Sequence, residues 1–257
     1  MKVSELSFAY DSKKILDQIS FQIPEGRITA ILGSNGSGKS TLFRLMTKNL
    51  KPDQGTIYLD EKDISKMKLR EFSREVAIVH QQNRAADDMT VEKLVSYGRL
   101  PFARKFCGKS QEDQETIKWA LGITNLRKHC STQLGKLSGG QRQRAFIAMA
   151  LAQNTKVLFL DEPTTFLDIR YQIEILELIR MLNRDYGITI IMVLHDINQA
   201  VSYSDEMIGL KDGKIEVQGE TKRVITEDVI NRLYGVRLKI KEVDGKKFVW
   251  NVRHKSM

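Results

Sequence analysis

Directly after the apolar residues 28–32 comes Gly33-Ser34-Asn35-Gly36-Ser37-Gly38-Lys39-Ser40-Thr41. This stretch fits G-x-x-x-x-G-K-[ST], the loop that wraps the phosphates of a nucleoside triphosphate. Glycines let backbone N–H groups approach phosphate oxygens closely, and Lys39 supplies positive charge for the β- and γ-phosphates. The Ser40 hydroxyl is placed to hold Mg²⁺. A glycine-rich turn without a nucleotide is the alternative, but a preceding strand and a predicted helix over 39–47 favour ATP or GTP binding.

Composition limits the class of protein. The chain has 257 residues, a formal net charge of +9 and two cysteines, Cys107 and Cys130, in no metal-ligand spacing. We therefore expect a reducing compartment, and we see neither a signal peptide nor an apolar run long enough to span a membrane. The basic charge suits nucleic acid, a nucleotide or a membrane surface, although a solvated basic surface explains it equally well. We expect a soluble, cytoplasmic protein.

The order of predicted elements indicates an α/β fold. Strands are predicted at 3–10, 16–23, 55–60 and 75–80, and the chain turns helical at 90–98 and 110–121, with a loop over 99–109. Strands and helices then alternate: strand 156–161, helix 169–186, strand 188–194 and helix 196–204. Such alternation favours a mainly parallel sheet covered by helices. The pairs Asp212-Gly213 and Asp244-Gly245 are typical of hairpin turns.

A second motif is the apolar strand Val157-Leu158-Phe159-Leu160-Asp161, followed by Glu162. Asp161 at the end of a buried strand can hold Mg²⁺, directly or through water, beside a phosphate loop. Glu162 can orient the attacking water and accept its proton. Alone, the pattern is more simply a strand that ends in solvated acids; the phosphate loop on the same chain favours the catalytic interpretation.

The third motif is Leu137-Ser138-Gly139-Gly140-Gln141, at the start of a helix predicted to run to about residue 153. Ser138 and Gln141 satisfy a capping box, so the segment could be only a helix start. Two glycines in a first turn weaken a helix, however. They are explained if a second phosphate surface must approach the backbone N–H groups.

In this order, the three motifs resemble the ATPase subunit of an ATP-binding-cassette (ABC) transporter. The resemblance implies an α/β fold: a P-loop NTPase core with an N-terminal antiparallel β-subdomain and an inserted α-helical subdomain. The core would take in about 1–88 and 154–257, and the helical subdomain about 89–153. It implies hydrolysis of ATP with Mg²⁺ in a head-to-tail homodimer. There, Ser138, Gly139, Gly140 and Gln141 serve the partner's ATP.

Four further residues receive roles only through the resemblance. Gln81 matches the glutamine that senses Mg²⁺ and the membrane subunit, and His195 matches the switch histidine at the γ-phosphate. Asp168 matches an acidic residue at the dimer interface, and Tyr10 matches the aromatic residue that stacks on adenine. Without the family, His195 and Tyr10 would be ordinary structural residues.

Within the family, the chain is similar to ATPases of ferric-siderophore, haem and cobalamin importers. The similarity rests on the stretches Glu162–Ile169, Phe146–Gln153, His195–Asn198 and Tyr97–Phe102. The implied partners are transmembrane permease subunits and, indirectly, a solute-binding protein, with no nucleic acid. The implied location is peripheral, on the cytoplasmic face of the cell membrane. The chain departs from the family pattern at two places, which bear on its regulation and its subgroup but not on ATP hydrolysis. His80 stands where the family usually has proline, and Arg170-Tyr171 stands where this subgroup often has a small residue and histidine.

Three other classes fit the sequence less well. A DNA-repair or chromosome-type ATPase separates the two motifs by long coiled coil, whereas Lys39 and Ser138 lie 99 positions apart here without heptads. A translation-factor ATPase would carry two cassettes. A non-enzymatic binding module would not need both Glu162 and His195. An importer ATPase for a different cargo stays open.

The segment 81–102 is our candidate surface for contact with the membrane subunit. It starts at Gln81, near the expected Mg²⁺ site, and ends in the basic and aromatic pair of Arg99 and Phe102. The alternative is that its charged residues, including Arg99, are only solvent-exposed surface residues of the helical insertion with no role in partner contact.

Overall fold

The structure is a computed structural model that describes residues 1–103, 110–243 and 245–250. In these ranges the strands are β1 Lys2–Tyr10, β2 Lys13–Gln22, β3 Ile28–Gly33, β4 Gln54–Leu59, β5 Lys62–Asp63, β6 Val76–Val79, β7 Val157–Asp161, β8 Thr189–Val193, β9 Glu206–Lys211, β10 Lys214–Glu220, β11 Lys239–Val243 and β12 Lys246–Trp250. The α-helices are α1 Lys39–Met46, α2 Leu69–Glu75, α3 Val91–Ser96, α4 Gln111–Ile123, α5 Gly139–Leu151, α6 Ile169–Tyr186, α7 Ile197–Tyr203, α8 Thr221–Val224 and α9 Glu227–Tyr234. Short 3₁₀ helices are Ile64–Lys66, Tyr97–Phe102, Arg127–His129 and Leu134–Lys136.

The chain forms two compact units. The first takes in residues 1–66 and the chain from 191 onward, and the second takes in 67–190. The predicted division into a core (about 1–88 and 154–257) and a helical subdomain (about 89–153) is a different partition and stays a prediction.

The first unit contains an antiparallel sheet with strand order β2-β1-β4-β5. Its long strands carry irregularities in register, and Glu5 and Gln18 have positive φ there. Bulges of this kind bend a strand and increase its twist. The predicted N-terminal antiparallel β-subdomain is confirmed.

A second group of strands in the first unit places the phosphate loop. Strand β3 pairs in parallel with β9, and β9 pairs antiparallel with β10. All six residues of β3 are buried, as its continuous apolar sequence predicts for a strand covered on both faces. Because loops at the carboxyl ends of such strands form ligand sites, Gly33 at the end of β3 opens a candidate site.

The second unit combines a parallel strand pair with helices. Strands β6 and β7 pair in parallel, with Val76 opposite Val157 and Val79 opposite Leu160. Helices α3, α4 and α5 contact one another, and α5 also contacts α6. The predicted inserted helices are thereby confirmed, within slightly different bounds. No helix in the described part of the chain is long and apolar enough to cross a membrane.

Sequence patterns missed the shorter elements. Helices α2, α8 and α9 have only seven, four and eight residues. Helices this short are marginal on their own, so tertiary contacts determine whether they form. The predicted strand at 75–80 starts at Val76 because Glu75 ends α2.

Both predicted hairpins form. The Asp212-Gly213 turn joins β9 to β10, and β11 pairs with β12 from Lys239–Trp250 to Val243–Lys246. Asp244 of the second predicted turn lies outside the described residues. The same holds for residues 104–109 of the predicted 99–109 loop, which include Cys107.

Arg99 differs from its expected place on an exposed surface. Its side chain is 7% exposed, and its Nε donates to Asp113 Oδ1 at 2.6 Å. Its Nη1 donates to the Ala152 carbonyl at 3.1 Å, and the guanidinium lies 4.1 Å from the centre of the Phe102 ring. Although burial acts to raise it, the pKa of Asp113 is lowered overall by hydrogen bonds from Arg99 and Ser110. Arg99 therefore ties the 3₁₀ helix 97–102 to α4 and to the end of α5, and it is not available to a partner.

We predict that Arg99→Ala destabilises the second unit. The change leaves the Asp113 carboxylate and the Ala152 carbonyl without their charged donor, which costs about 1–3 kcal/mol in the free energy of unfolding. Urea unfolding measures this loss. Arg180→Ala is the control, because the Arg180 side chain is 44% exposed and its ion pair with Glu177 is long, at 3.9 Å. Equal losses from the two variants would contradict the structural role of Arg99.

Candidate functional site

The phosphate loop lies in the first unit, between β3 and α1. Lys39 is the first residue of α1 and is 5% exposed. Its Nζ donates to the carbonyl oxygens of Gly33 and Ser34, at 2.8 and 2.9 Å. The loop thus folds over its own lysine, and phosphate oxygens are the natural alternative acceptors for this ammonium group.

The loop also holds an unsatisfied polar atom. Ser37 is 2% exposed, and its hydroxyl oxygen has no hydrogen-bond partner among the described residues. A buried hydroxyl without a partner is costly. Together with the positive end of α1, which follows Gly38 in the left-handed conformation, this donor fits an anionic ligand. The loop residues therefore fit the phosphates of a nucleoside triphosphate.

Gly213 supports the loop from a distant hairpin. Its N–H donates to the Ser37 carbonyl at 3.2 Å, and its own carbonyl accepts from the Asp17 N–H at 3.0 Å. Its φ is +75°, and a Cβ there would lie 2.3 Å from the Ile15 carbonyl oxygen. The sequence identified Gly213 only as part of a turn. Its contact with the phosphate loop spans 176 positions, and no local pattern could have revealed it.

Tyr10 and His195 also belong to the first unit. Tyr10 is 41% exposed at the end of β1, and its ring meets the Phe8 ring edge-on at 4.9 Å. His195 is exposed and lies between two anchored residues. Leu194 donates its N–H to the Ile31 carbonyl at 3.2 Å, and Asp196 caps α7. Both predicted residues are therefore accessible to a ligand.

Tyr234, the last residue of α9, was not predicted as a site residue. Its hydroxyl is buried and has no hydrogen-bond partner among the described residues. Burial raises the pKa of Tyr234 to about 12, the nearby Gly33 backbone acts in the opposite direction, and the Asp196 carboxylate raises it further. A neutral phenol therefore lies close to the start of the phosphate loop and to the residue that follows His195.

Glu162 and Gln81, both in the second unit, come together from two separate motifs. The Gln81 side-chain N–H donates to Glu162 Oε2 at 2.5 Å, and the Thr165 hydroxyl donates to the same oxygen at 3.1 Å. Glu162 is 9% exposed and has a φ of 49°, an uncommon conformation for a residue other than glycine. Strained backbone of this kind is concentrated at functional sites. Two donors therefore fix the orientation of the carboxylate. Asp161 precedes Glu162 at the end of β7.

The signature run 137–141 starts α5 with the predicted capping box. The Ser138 hydroxyl accepts from the Gln141 N–H at 3.3 Å, and Gln141 Oε1 accepts from the Ser138 N–H at 3.0 Å. Packing within this chain explains why position 140 is a glycine, because a Cβ there would lie 2.3 Å from the Tyr171 ring. At Gly139 a Cβ would meet only Leu167, at 3.7 Å. Gly139 is therefore the glycine whose surroundings leave room for a ligand.

The two departures from the family pattern have local roles. The His80 N–H donates to the Asn83 side chain at 3.2 Å, a bond that proline could not make. Tyr171 packs on Gly140, and Arg170 pairs with Glu174 at 3.0 Å.

Asp168 caps α6 by accepting from the Tyr171 N–H at 3.1 Å. Its apolar neighbours Phe166 and Ile169 are 87% and 76% exposed. No sequence pattern marks these two residues as surface residues. Their exposure gives the surface around Asp168 an apolar character.

We predict that Tyr234→Phe changes the pH dependence of stability. The pKa of the hydroxyl is about 12 in the folded chain, against about 10 for a free tyrosine. The folded chain therefore holds the proton more tightly. The stabilisation is complete below about pH 10 and is lost as the pH rises to about 12. The phenylalanine variant lacks this loss, because it carries no ionisable group at this position.

Urea unfolding between pH 7 and 11.5 measures the difference between the two proteins. Tyr58→Phe, in strand β4, is the matched control. If wild type and Tyr234→Phe lost stability in parallel above pH 10, the buried environment of Tyr234 would be wrong.

Comparison with known proteins agrees with this geometry. The sequence profile of the ABC transporter family matches residues 16–165. The petrobactin import ATP-binding protein FpuC of Bacillus anthracis is 42% identical over 248 residues, which cover 96% of this chain and 91% of that protein. The iron(3+)-hydroxamate import ATP-binding protein FhuC of Bacillus subtilis (strain 168) is 40% identical over 240 residues, covering 93% and 89% of the two chains.

Among solved structures, the ATP-binding cassette MJ0796 is similar in its dimeric post-hydrolysis state with ADP and Pi. The TM-score is 0.73 with 28% identity, over 86% of this chain and 98% of that one. The resemblance that rested on three motifs is confirmed. Since the family profile covers more than half of the chain and the relatives align with nearly all of it, the chain belongs to the ABC transporter family, as one of its ATP-hydrolysing subunits.

Proposed function

We propose that this chain powers an importer of ferric siderophore complexes. The observation that carries the proposal is the 42% identity to FpuC over 96% of the chain, supported by the 40% identity to FhuC. Both proteins are named for import of iron chelates. A cassette does not touch its cargo, so the choice of siderophore belongs to the permease and the solute-binding protein.

Phosphate binding is assigned to residues 33–41. The Lys39 ammonium exchanges its contacts with the Gly33 and Ser34 carbonyls for oxygens of the β- and γ-phosphates. The Ser37 hydroxyl and the N–H groups at the start of α1 add donors. Tyr10, exposed at the end of β1, stacks on adenine.

As the family resemblance implies, we assign Mg²⁺ binding to the Ser40 hydroxyl, the Asp161 carboxylate and Gln81. No cluster of three or more potential His, Cys, Asp or Glu ligands occurs in the described residues. The Ser40 hydroxyl and the Asp161 carboxylate suit Mg²⁺, because this ion takes one or two protein oxygens and completes its coordination shell with phosphate oxygens and water. When bound, the ion neutralises charge on the β- and γ-phosphates.

Hydrolysis is assigned to Glu162 and His195. Glu162 accepts the proton of the attacking water, and the donors Gln81 and Thr165 orient its carboxylate for this task. Because Gln81 binds Glu162 directly, a shift of the segment that carries Gln81 would release or reorient the base. His195 donates a hydrogen bond to the γ-phosphate.

The partners follow from how ABC cassettes work, as dimers with transmembrane permease subunits in importers. We assign this chain a head-to-tail homodimer in which residues 138–141 of one copy contact the ATP of the other and Asp168 lies at the interface. The exposed Phe166 and Ile169 beside Asp168 suit such an interface. Further partners are permease subunits at the cytoplasmic face of the membrane and, indirectly, a solute-binding protein. No nucleic acid takes part.

Transport in proteoliposomes with the cognate permease and solute-binding protein tests the cargo. We expect ATP-dependent uptake of radioactive iron supplied as ferric hydroxamate or ferric petrobactin. Glu162→Gln keeps the shape of the side chain but removes the proton acceptor, so it should lower ATP hydrolysis and uptake by roughly 10²–10⁴ while ATP binding persists. Lys39→Ala, which loses the phosphate contact, serves as the variant deficient in nucleotide binding.

Uptake of haem or cobalamin in place of both iron chelates would contradict the siderophore assignment. If the Glu162→Gln variant hydrolysed ATP at a rate close to that of wild type, the general base would have to be another residue.

Mixing two inactive variants tests the composite site. Ser138→Arg blocks the signature run, and Lys39→Ala disables the phosphate loop. A heterodimer of the two retains one intact pair, so the mixture should recover hydrolysis that neither variant has alone. Titrating one variant into the other while measuring phosphate release gives the readout. If each signature run served the phosphate loop of its own copy, the mixture would stay inactive.

A further inference from the structure

Helix α7, which follows His195, is too short to hold its position unaided. It has seven residues, and isolated helices of this length are not stable in water. Asp196 caps it by accepting from the N–H groups of Asn198 and Gln199, at 2.7 and 3.1 Å. The orientation of the first turn, and of His195 just before it, therefore depends on external contacts.

One such contact comes from the C-terminal hairpin β11–β12. The Asn198 side-chain N–H donates to the Val249 carbonyl at 3.1 Å, and the Val249 N–H donates to Asn198 Oδ1 at 2.8 Å. The carboxamide thus pairs with Val249 as a neighbouring strand would. Because N–H and C=O of one residue point to the same side of a strand, Val249 directs both groups away from β11. Asn198 occupies the free edge of the hairpin.

The hairpin is itself anchored to helices α8 and α9. Lys247 Nζ donates to the carbonyls of Lys222 and Ile225, at 2.6 and 3.3 Å. The Ile240 N–H donates to the Glu227 carboxylate at 3.2 Å. The hairpin therefore bridges these helices and the first turn of α7.

We propose that Asn198 is a positioning residue for ATP hydrolysis, through which the C-terminal hairpin holds His195 in place. The proposal rests on the role given to His195 above. Small misplacements of a catalytic group are expensive in rate, whereas the hairpin has no part in the phosphate loop that binds ATP. A second residue of the C-terminal region, Tyr234 of α9, also lies near this turn, because the Asp196 carboxylate acts on the Tyr234 hydroxyl.

Two variants break the contact from opposite sides. Asn198→Ala removes the carboxamide. Val249→Pro removes the N–H, and the outward-facing edge of a strand is a position where proline is tolerated. Asn231→Ala is the matched control, since Asn231 is exposed on α9. His195→Ala reports the full effect of losing the histidine. All are made in the full chain.

We expect Asn198→Ala to lower kcat for ATP by about threefold to tenfold, the effect of losing roughly one net hydrogen bond. KM, ATP affinity and the thermal midpoint should stay close to wild type. Val249→Pro should act in the same direction, and the double variant should be no slower than the slower single variant, because both changes break one contact. Asn231→Ala should match wild type.

Three results would overturn the proposal. Unchanged kcat in Asn198→Ala, with His195→Ala inactive, would show that the hairpin does not position the histidine. Parallel loss of kcat, ATP affinity and thermal stability would reduce the contact to general support of the fold. Full activity in His195→Ala would remove the proposed role of His195 itself, and with it the reason for positioning this residue.

Discussion

The burial of the Lys39 ammonium is the constraint on which the nucleotide site depends. A charge that is only 5% exposed must be compensated, and the carbonyls of Gly33 and Ser34 do this by curling the loop over the side chain. The loop is thereby shaped around a positive centre. A site whose backbone is fixed by its own contacts loses little further entropy when it binds a ligand.

A loop shaped in this way still needs rigid surroundings, and distant parts of the first unit supply them. Gly213 holds the Ser37 carbonyl from the β9–β10 turn, where no side chain would fit. The Tyr234 hydroxyl is close enough to the Gly33 backbone, at the start of the loop, for that backbone to lower its pKa. The C-terminal hairpin reaches Asn198, one turn after His195. The phosphate site is thus supported by residues that lie far from it in sequence, between positions 213 and 249.

In the second unit, the carboxylate of Glu162, our proposed general base, is likewise held by its neighbours. Glu162 sits in a left-handed conformation, and its oxygen is held by Gln81 and Thr165. Arg99 performs a comparable structural task among the helices, where it joins Asp113 and Ala152. The basic residue that looked like a partner contact in sequence is therefore a part of the packing. Surface contacts of this unit have to be sought among exposed residues such as Phe166.

Sequence alone determined the elements whose chemistry is local. The phosphate loop, the acidic end of β7 and the capping box at Ser138 are each formed by residues that are close together in sequence. Buried strands such as β3 are recognisable as continuous apolar runs. Tertiary structure decided what depends on distant neighbours. The burial of Arg99, the Gly213 support, the Gln81–Glu162 bond and the Asn198–Val249 pair join positions from 14 to 176 residues apart. Such pairs leave no periodic trace in a single sequence, because the fold alone brings them within hydrogen-bonding distance.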